Sequence, residues 1–257
     1  MIGRQRLENL VKRAIKRRLL AGRFHSETTE FGHVDGREAR VLICLWNRPS
    51  RMSDILELLD SQDFPHGVRL FLWNNNKSEH ELYRAAISEF SATRALKTVD
   101  LVKTPYNLGS IARFYWARKL SVDTGPIIVI DDDQDIAPTF VSQAIDAYRP
   151  DTVAAWWAWK IGDTYWDRQK AVPGDLINHI GPGGMVCSSE IFADRDFFTK
   201  IPEKYWMLDD IWLSYFATTR GYTLAKLAVD IDFVMDETNQ FYGQASLKPD
   251  FYAALRA

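Results

Sequence analysis

The run Pro126-Ile127-Ile128-Val129-Ile130-Asp131-Asp132-Asp133 decides the fold of this 257-residue chain. Its apolar part is typical of a strand buried on both faces of a parallel sheet, where apolar residues follow one another without alternation. Three carboxylates come directly after it. Because ligands in such sheets bind beyond the carboxyl ends of the strands, the run predicts a central strand and, at its end, the edge of a binding site.

Around this run, short β-like segments alternate with segments of helical periodicity. This alternation predicts an α/β fold with a mainly parallel, Rossmann-like central sheet flanked by helices. The predicted strands span residues 39–45, 68–73, 98–102, 126–130, 153–159 and 224–229. The predicted helices span residues 53–61, 78–91, 110–120 and 138–148.

Composition and charge separate two unlike segments. The chain is 26% charged and 46% hydrophobic, the balance of an ordinary soluble globular protein. Within its formal net charge of −2, residues 1–24 hold eight Lys or Arg against Glu8 alone, about +7, which leaves about −9 for the rest. An acidic main domain argues against nucleic acid as a partner, since surfaces that bind nucleic acid are basic.

Residues 1–24 predict a basic amphipathic helix, because their apolar residues recur at helical spacing. This helix could lie on an anionic membrane surface, pack on the main domain, or join copies of the chain. Residues 25–38 are polar and predict a linker to a domain spanning 39–257. Cys44 and Cys187 lie in apolar runs typical of buried, reduced thiols.

No membrane-spanning run or signal peptide is recognisable in the sequence, which favours a cytoplasmic protein. The basic helix adds the expectation of a peripheral contact with the cytoplasmic membrane face.

The three aspartates after residue 130 indicate a metal site. Residues i and i+2 of an extended segment point the same way, so Asp131 and Asp133 can share one site while Asp132 faces elsewhere. Carboxylates packed this closely repel unless a cation is present, and their hard oxygens suit Mg²⁺ or Mn²⁺. Such ions complete their coordination with substrate phosphates, which points to a nucleoside diphosphate. A solvated acidic turn that caps the next helix is the alternative.

The ends of the other predicted strands are also polar. Amide and cationic side chains there are the candidates for contacts with a nucleotide, together with Asp131 and Asp132. They are Asn47, Arg48, Asn74, Asn75, Asn107 and Arg113. Each arginine could instead be an ordinary surface charge.

Further along the chain, three features suggest an acceptor site. Asp209 and Asp210 open an apolar helical segment, where a carboxylate could act as a general base or simply favour the helix N-terminus. Gly183 and Gly184, in a Gly-Pro-Gly-Gly stretch, permit close approach of a ligand or form a tight turn. Trp166 could stack on a sugar ring, although core packing is the commoner use of Trp. In an alternating strand, Trp157 and Trp159 would share a face opposite Trp156.

Together these features resemble the GT-A class of nucleotide-sugar glycosyltransferases, chiefly the family 2 type, with acidic motifs similar to the exostosin-like enzymes. The similarity runs from about residue 39 to residue 222. Asn107-Leu108-Gly109 looks like the family's Asn-x-Gly turn, and Asp131-Asp132-Asp133 looks like its Asp-x-Asp motif. The resemblance implies that Asp131 lies near the ribose and Asp133 on the metal. It also places Asp210 in the catalytic base position, with Asp209 replacing the usual Glu.

Two departures from the family pattern are visible. The second strand ends in Asn74-Asn75, where the family commonly has Asp. Many relatives have a further metal ligand, often His, towards the C-terminus, yet no His follows His179. Asp232, Asp236 or Glu237 could take its place, or the third protein ligand could be absent.

The resemblance implies a metal-dependent glycosyltransferase. It would use Mn²⁺ or Mg²⁺ to move a sugar from a nucleoside diphosphate sugar, with UDP favoured, to a hydroxyl of a glycan or a lipid-linked acceptor, as in cell-surface glycan or glycolipid synthesis. Asp210 would remove the acceptor proton in an inverting enzyme or steady the oxocarbenium-like state in a retaining one. The alternatives are a nucleotidyltransferase, whose Gly-rich loop is missing here, and a non-catalytic carbohydrate-binding module, which leaves the acidic motifs unexplained.

Overall fold

A computed structural model describes residues 2–234 and 245–256 of the chain, with side chains from Leu10 onward. The α-helices of this part are α1 (Ile2–Leu20), α2 (Met52–Asp60), α3 (His80–Glu89), α4 (Phe114–Leu120), α5 (Phe140–Ala147), α6 (Asp196–Thr199), α7 (Asp209–Thr219) and α8 (Leu247–Arg256). The strands are β1 (Glu27–Glu30), β2 (Ala39–Leu45), β3 (Val68–Asn74), β4 (Leu96–Lys103), β5 (Pro126–Asp131), β6 (Gln134–Ile136), β7 (Thr152–Ile161), β8 (Arg168–Lys170), β9 (His179–Ser188), β10 (Thr223–Lys226) and β11 (Ile231–Phe233).

A nine-stranded sheet forms the centre of the protein. Its order is β1-β4-β3-β2-β5-β9-β7-β10, with β8 paired to β7. The neighbours β4, β3, β2 and β5 are parallel, and β10 is parallel to β7. β9 runs antiparallel between β5 and β7. β11 and β6 form a separate antiparallel pair.

This architecture confirms the predicted fold class, a mainly parallel α/β sheet flanked by helices. Because β9 reverses direction between β5 and β7, those two strands point the same way, as do β2, β3 and β4. Their carboxyl ends therefore meet at one edge of the sheet, where the polar segments of the sequence lie.

Two apolar layers hold the sheet between the helices. The layer on one face includes Leu42 and Val129 and packs against α4 and α7. The layer on the other face includes Ile43 and Ile130 and packs against α2, α3 and α5. Since successive residues of a strand point to opposite faces, the unbroken apolar runs of β2 and β5 supply both layers.

The Gly-Pro-Gly-Gly stretch lies within β9 and forms neither a turn nor a loop. Ala155 pairs with Met185 and Trp157 pairs with Gly181, so three residues of β9 stand opposite Trp156 alone. This bulge accommodates a proline that cannot donate a ladder hydrogen bond. It also corrects the expected alternation in β7, because Trp156 and Trp157 both contact the ring of Phe233, each with a centroid distance of 5.5 Å.

The C-terminal end of α1 packs on the main domain, one of the three uses predicted for it. Leu19 and Leu20 are buried, and the Leu20 carbonyl accepts a hydrogen bond of 2.7 Å from Arg118 Nε. Lys12 Nζ lies 2.7 Å from Glu203 Oε1. Leu10 and Val11 stay about half exposed, so a membrane or oligomer contact through this helix remains a prediction. None of the helices in the described residues combines the length and apolar character needed to cross a bilayer.

The predicted linker contains a strand. β1 pairs antiparallel with the outer strand β4, and Thr28 Oγ1 donates a hydrogen bond of 2.5 Å to Asp100 Oδ1. A short polar edge strand carries no apolar alternation, so the pattern that reveals the other strands does not reveal this one.

Candidate active site

The predicted strand-end segments meet in one cleft, which we call the strand-end cleft. It has a volume of about 170 Å³. Its lining consists of Cys44, Trp46, Arg48, Asn75, Asn107, Ser110, Arg113, Asp131, Asp132, Asp133 and Met207. The topology therefore brings together most of the residues predicted to contact a nucleotide, while Asn47 and Asn74 lie outside this lining.

Asp132 is a fixed wall of the cleft. Its carboxylate accepts hydrogen bonds from Trp46 N at 2.8 Å and from Arg48 Nη1 at 2.7 Å. Burial raises the pKa of Asp132 to about 7, against the opposing effect of the Arg48 charge. Arg48 Nη2 also lies 3.6 Å from Asp133 Oδ2. The arginine thus ties the end of β2 to the acidic segment that follows β5.

Asn75 positions the turn that contains Asn107 and Gly109. Asn75 Oδ1 accepts from Leu108 N at 3.1 Å, and Asn75 Nδ2 donates to Gly109 O at 2.8 Å. Gly109 has φ +75°, and a Cβ there would lie 2.7 Å from Trp206 O. A side chain at Gly109 would therefore clash with the segment that leads into α7.

Asn74 and Asn47 differ from Asn75 in their surroundings. Asn74 is fully buried, and its Oδ1 accepts from Asn76 N at 2.8 Å. Its side chain has no surface to offer a nucleotide, so the structure corrects its predicted role to one in the scaffold. Asn47 has φ +56°, a conformation that Asn adopts more readily than most residues. Nucleotide binding by Asn47 stays a prediction.

Arg113 joins the two acidic motifs. It donates from Nη1 to Asp131 Oδ1 and from Nη2 to Asp209 Oδ2, the second at 3.2 Å. Burial works to lower the pKa of this guanidinium, but the charges of Asp131 and Asp209 raise it well above its usual range. Burial also raises the pKa of Asp209 to about 6. Asp209 therefore links α7 to the strand-end cleft through an arginine that is itself buried.

The two glycines predicted to bind an acceptor each leave space for a different side chain of the protein. A Cβ at Gly183 would lie 2.2 Å from Asp131 Oδ2, so this glycine makes room for the carboxylate. Gly184 has φ +79°, and a Cβ there would lie 2.3 Å from Ile231 Cδ1. Both positions are crowded by the protein's own side chains, and acceptor binding by either one stays a prediction.

Asp210 forms its own cluster on the other side of Asp209. Its Oδ2 lies 3.0 Å from Lys248 Nζ, 3.3 Å from the Tyr165 hydroxyl and 3.7 Å from His179 Nε2. Burial favours a higher pKa for Asp210, but the Lys248 charge and a hydrogen bond from His179 outweigh it and hold the pKa below its ordinary value. The Oδ1 atom is buried and has no hydrogen-bond partner among the described residues. Asp210 is thus an ionised carboxylate with one oxygen that is unpartnered in this part of the chain but enclosed by the protein.

Trp166 lies beside this cluster. It is 52% exposed, and its ring stands edge-on to Tyr165 at a centroid distance of 4.9 Å. The Tyr165 hydroxyl contacts Asp210 Oδ2, so Trp166 is linked to the Asp210 carboxylate through one intervening side chain. This placement is compatible with the predicted acceptor role.

Comparisons with known proteins give structural neighbours only. No family model matches the sequence, and no curated protein matches it. Two crystal structures of S. aureus TarS residues 1–349, one of them in complex with UDP, are similar to the chain at 16% identity with a TM-score of 0.47. Each match covers 74% of this chain and 58% of the TarS chain, so the chain spans less than two thirds of those structures.

The strand-end cleft contains ligands suited to a divalent cation. Asp131 and Asp133 both line it and offer hard oxygen donors. No group of three His, Cys, Asp or Glu side chains with a metal-binding arrangement occurs in the described residues. A cation there would take its remaining ligands from substrate oxygens and water, as Mg²⁺ commonly does. Asp236 and Glu237 lie outside the described residues, and Asp232 pairs with Asp135 between β11 and β6.

Two arginines supply counter-charges to the acidic segment, and the predicted metal stays a prediction. Asp131 is paired with Arg113, and Asp132 with Arg48. Acidic side chains nevertheless outnumber the arginines in the lining of the strand-end cleft, which has Asp131, Asp132 and Asp133 against Arg48 and Arg113. A divalent cation would balance this excess of acidic side chains.

Sequence reasoning missed the partners of Asp210. Lys248 belongs to α8, a helix that was not predicted, and Tyr165 was not among the predicted site residues. His179 was considered only as the last histidine of the chain. Nothing in the local sequence marks a lysine 38 residues after Asp210 as its partner.

Proposed function

We propose that this chain is a glycosyltransferase that moves a sugar from a nucleoside diphosphate sugar, with UDP favoured, to a hydroxyl of a glycan or lipid-linked acceptor. The observation that carries the proposal is the bridge made by Arg113 between Asp131 in the strand-end cleft and Asp209 at the start of α7. This bridge connects the strand-end cleft, which would hold the donor, to the start of α7, where Asp210 follows Asp209.

The charge of the strand-end cleft favours a cation-assisted donor. A diphosphate alone would enter a region with more carboxylates than arginines, which is unfavourable. Asp131 and Asp133 would hold Mn²⁺ or Mg²⁺, which stabilises the charge that develops on a leaving diphosphate. Arg48 Nε is buried without a partner among the described residues and leaves a guanidinium donor for an anion.

Asp210 is suited to act on the acceptor. Its Oδ2 is held by Lys248, Tyr165 and His179, which fixes the orientation of the carboxylate. Oδ1 has no partner among the described residues and is enclosed in this structure, so an acceptor hydroxyl would reach it by displacing neighbouring side chains, and Oδ1 would then take its proton as the hydroxyl oxygen attacks. Exposed Trp166 offers a ring face against which the acceptor sugar can pack.

A thermal-shift panel tests the proposal. The full chain is heated with UDP-, GDP- and dTDP-sugars, each with and without Mn²⁺, because a ligand that binds only the folded state stabilises it by about 2.7 kcal/mol at one hundred times its Kd. We expect one nucleoside diphosphate sugar to stabilise the protein in a Mn²⁺-dependent manner. The D133N variant should lose this dependence, while D63N, at an exposed position away from the cleft, should keep it.

The same panel, with nucleoside triphosphates and free sugars added, can overturn the proposal. If no nucleoside diphosphate sugar stabilises the protein under either condition, sugar transfer from such donors is excluded. If only nucleoside triphosphates stabilise it, nucleotidyl transfer replaces the proposal. Stabilisation by free sugars alone would favour a binding module.

A further inference from the structure

Indole rings that are half-buried or exposed continue away from Asp210 along β7 and the segment before β8. We call Trp156, Trp157, Trp159 and Trp166 the aromatic track. The rings of Trp156 and Trp157 have centroids 4.8 Å apart, and those of Trp157 and Trp159 stack at 5.4 Å with an interplanar angle of 18°. Between Trp159 and Trp166 lies Arg168, whose guanidinium is 4.8 Å from the first ring and 5.2 Å from the second. The track is therefore a row of indole rings with a cationic side chain packed between two of them.

The β9 bulge explains why these rings share one surface. In a regular strand, Trp156 would point away from Trp157. Because three residues of β9 stand opposite Trp156 alone, the alternation is broken and both rings reach Phe233. The half-buried state of Trp156, Trp157 and Trp159 leaves part of each ring available.

Two lysines lie over the far end of the aromatic track. Lys170 Nζ is 5.6 Å from the Trp156 ring centroid, and Lys226 Nζ is 5.5 Å from it. Neither lysine forms an ion pair with any residue that the structure describes. Burial lowers the pKa of Lys226, and the nearby charge of Lys170 lowers it further. Lys226 Nζ also donates a hydrogen bond to the Trp156 carbonyl, so both cations lie close to the same residue.

A groove opens at these lysines. It has a volume of about 550 Å³, and its walls include Trp156, Lys170, Lys226 and a single acidic residue, Asp230. At its other end the aromatic track reaches the catalytic cluster, because Trp166 contacts Tyr165 and the Tyr165 hydroxyl bonds to Asp210. The groove and the candidate base therefore lie at the two ends of one surface.

Sugar rings and anionic groups match this surface. One face of a pyranose carries C–H groups and packs on an aromatic ring, while a carboxylate, sulfate or phosphate pairs with lysine. We propose that the aromatic track and the groove bind an anionic glycan chain, with its sugar rings on the indoles and its acidic substituents at Lys170 and Lys226. This inference rests on the proposed function in one respect, that the bound chain is the acceptor whose terminal hydroxyl reaches Asp210.

Direct binding to the full chain tests the inference without any donor. Isothermal titration calorimetry would compare hexagalacturonate, a heparin-derived hexasaccharide and neutral maltohexaose at low ionic strength. We expect the two anionic chains to bind more tightly than maltohexaose. The ratio of the two anionic ligands' dissociation constants shows whether the surface prefers carboxylate or sulfate groups. The K170Q/K226Q variant should weaken anionic binding by about fivefold to tenfold, the combined size of two partly exposed ion pairs.

A matched control uses K77Q/K200Q, which removes two exposed lysines at positions outside the groove. This variant should bind the anionic chains as the unmodified protein does. Equal affinity for neutral and anionic hexasaccharides, or an unchanged affinity in K170Q/K226Q, overturns the inference. Tighter binding of oligothymidylate than of either glycan also overturns it, since single-stranded nucleic acid uses aromatic and basic surfaces too.

The donor panel separates this inference from the proposed function. K170Q/K226Q should retain Mn²⁺-dependent stabilisation by the nucleoside diphosphate sugar, because both lysines lie outside the strand-end cleft. Loss of donor binding in the unmodified chain, with lysine-dependent glycan binding intact, removes the transferase proposal alone. Donor binding that is retained, with no lysine-dependent glycan binding, would overturn only the inference about the groove.

Discussion

The parallel and antiparallel halves of the sheet hold their carboxylates in different ways. In the parallel half, Asp131 and Asp132 are paired with arginines that lie just beyond other strand ends, within the same edge of the sheet. In the antiparallel half, Asp210 is held by Tyr165, His179 and Lys248, which come from three separate segments of the chain.

Two neighbouring residues show what this difference does. Asp209 faces the parallel half, and burial raises its pKa to about 6. Asp210 faces the antiparallel half, where Lys248 and His179 overcome the effect of burial and hold its pKa below the ordinary value. One position therefore links structural elements, whereas the next is a carboxylate that stays ionised and can accept a proton in a transition state.

The largest expected effect comes from removing the charge of Asp210. The D210N variant should lose about 10²–10⁴-fold in transfer rate, the range typical of a general base. Donor binding in the thermal-shift panel should be unchanged, because Asp210 does not line the strand-end cleft. Transfer is measured by release of the nucleoside diphosphate in the presence of acceptor. Near-normal transfer by purified D210N would remove Asp210 from the catalytic role.

The next effect comes from breaking the bridge between the two halves. The R113M variant leaves Asp131 and Asp209 without their shared cation, and loss of one partner of a buried ion pair costs about 3–5 kcal/mol. We expect the lower end, since Asp131 is partly exposed and can be hydrated.

Urea unfolding of R113M measures this change, with R149M as the control because Arg149 is exposed and bonds only to nearby carbonyls. Unfolding free energies that agree within about 0.5 kcal/mol, the usual range for surface changes, would contradict the bridge.

The smallest effect concerns the acidity of Asp210. In K248M the carboxylate loses its cation, so its pKa should rise by roughly one unit or more, as expected for loss of an opposite charge at this distance. The catalytic base is active when deprotonated, and its acid limb in the pH profile of kcat/KM should therefore move to higher pH. K248R retains the charge and should restore the original limb. If the acid limb of K248M lies at the same pH as that of the unmodified protein, the limb belongs to a group other than Asp210.

The sequence predicts the parallel half well because local pattern and tertiary environment agree there. β2 occupies residues 39–45 as predicted, and β5 differs from its prediction only by including Asp131. In contrast, β9 was missed because Gly181, Pro182, Gly183 and Gly184 are turn residues, and only pairing on both sides makes them a strand. The predicted helix over 110–120 begins as a 3-10 turn at Ser110–Arg113 before α4.

The candidate site also has a part that the sequence predicts and a part that it does not. The strand-end cleft follows from topology, because parallel strands bring Asn75, Asn107 and Asp131 to one edge. The pairing of Arg48 with Asp132 joins residues 84 apart in sequence, and no pattern predicts which carboxylate an arginine will reach. Lys248 was beyond prediction for the same reason, since its role depends on how α8 docks against α7.

The contact between the Gly109 turn and Trp206 has a thermodynamic consequence. Ile111 N donates to Trp206 O at 3.2 Å, and the absent side chain of Gly109 lets the two backbones meet just before α7 begins. A ligand that moves the turn would therefore disturb the backbone contact that precedes α7. Under the proposed function, any coupling carried by this contact is reciprocal: an acceptor that tightens donor binding is itself bound more tightly by the donor-loaded protein.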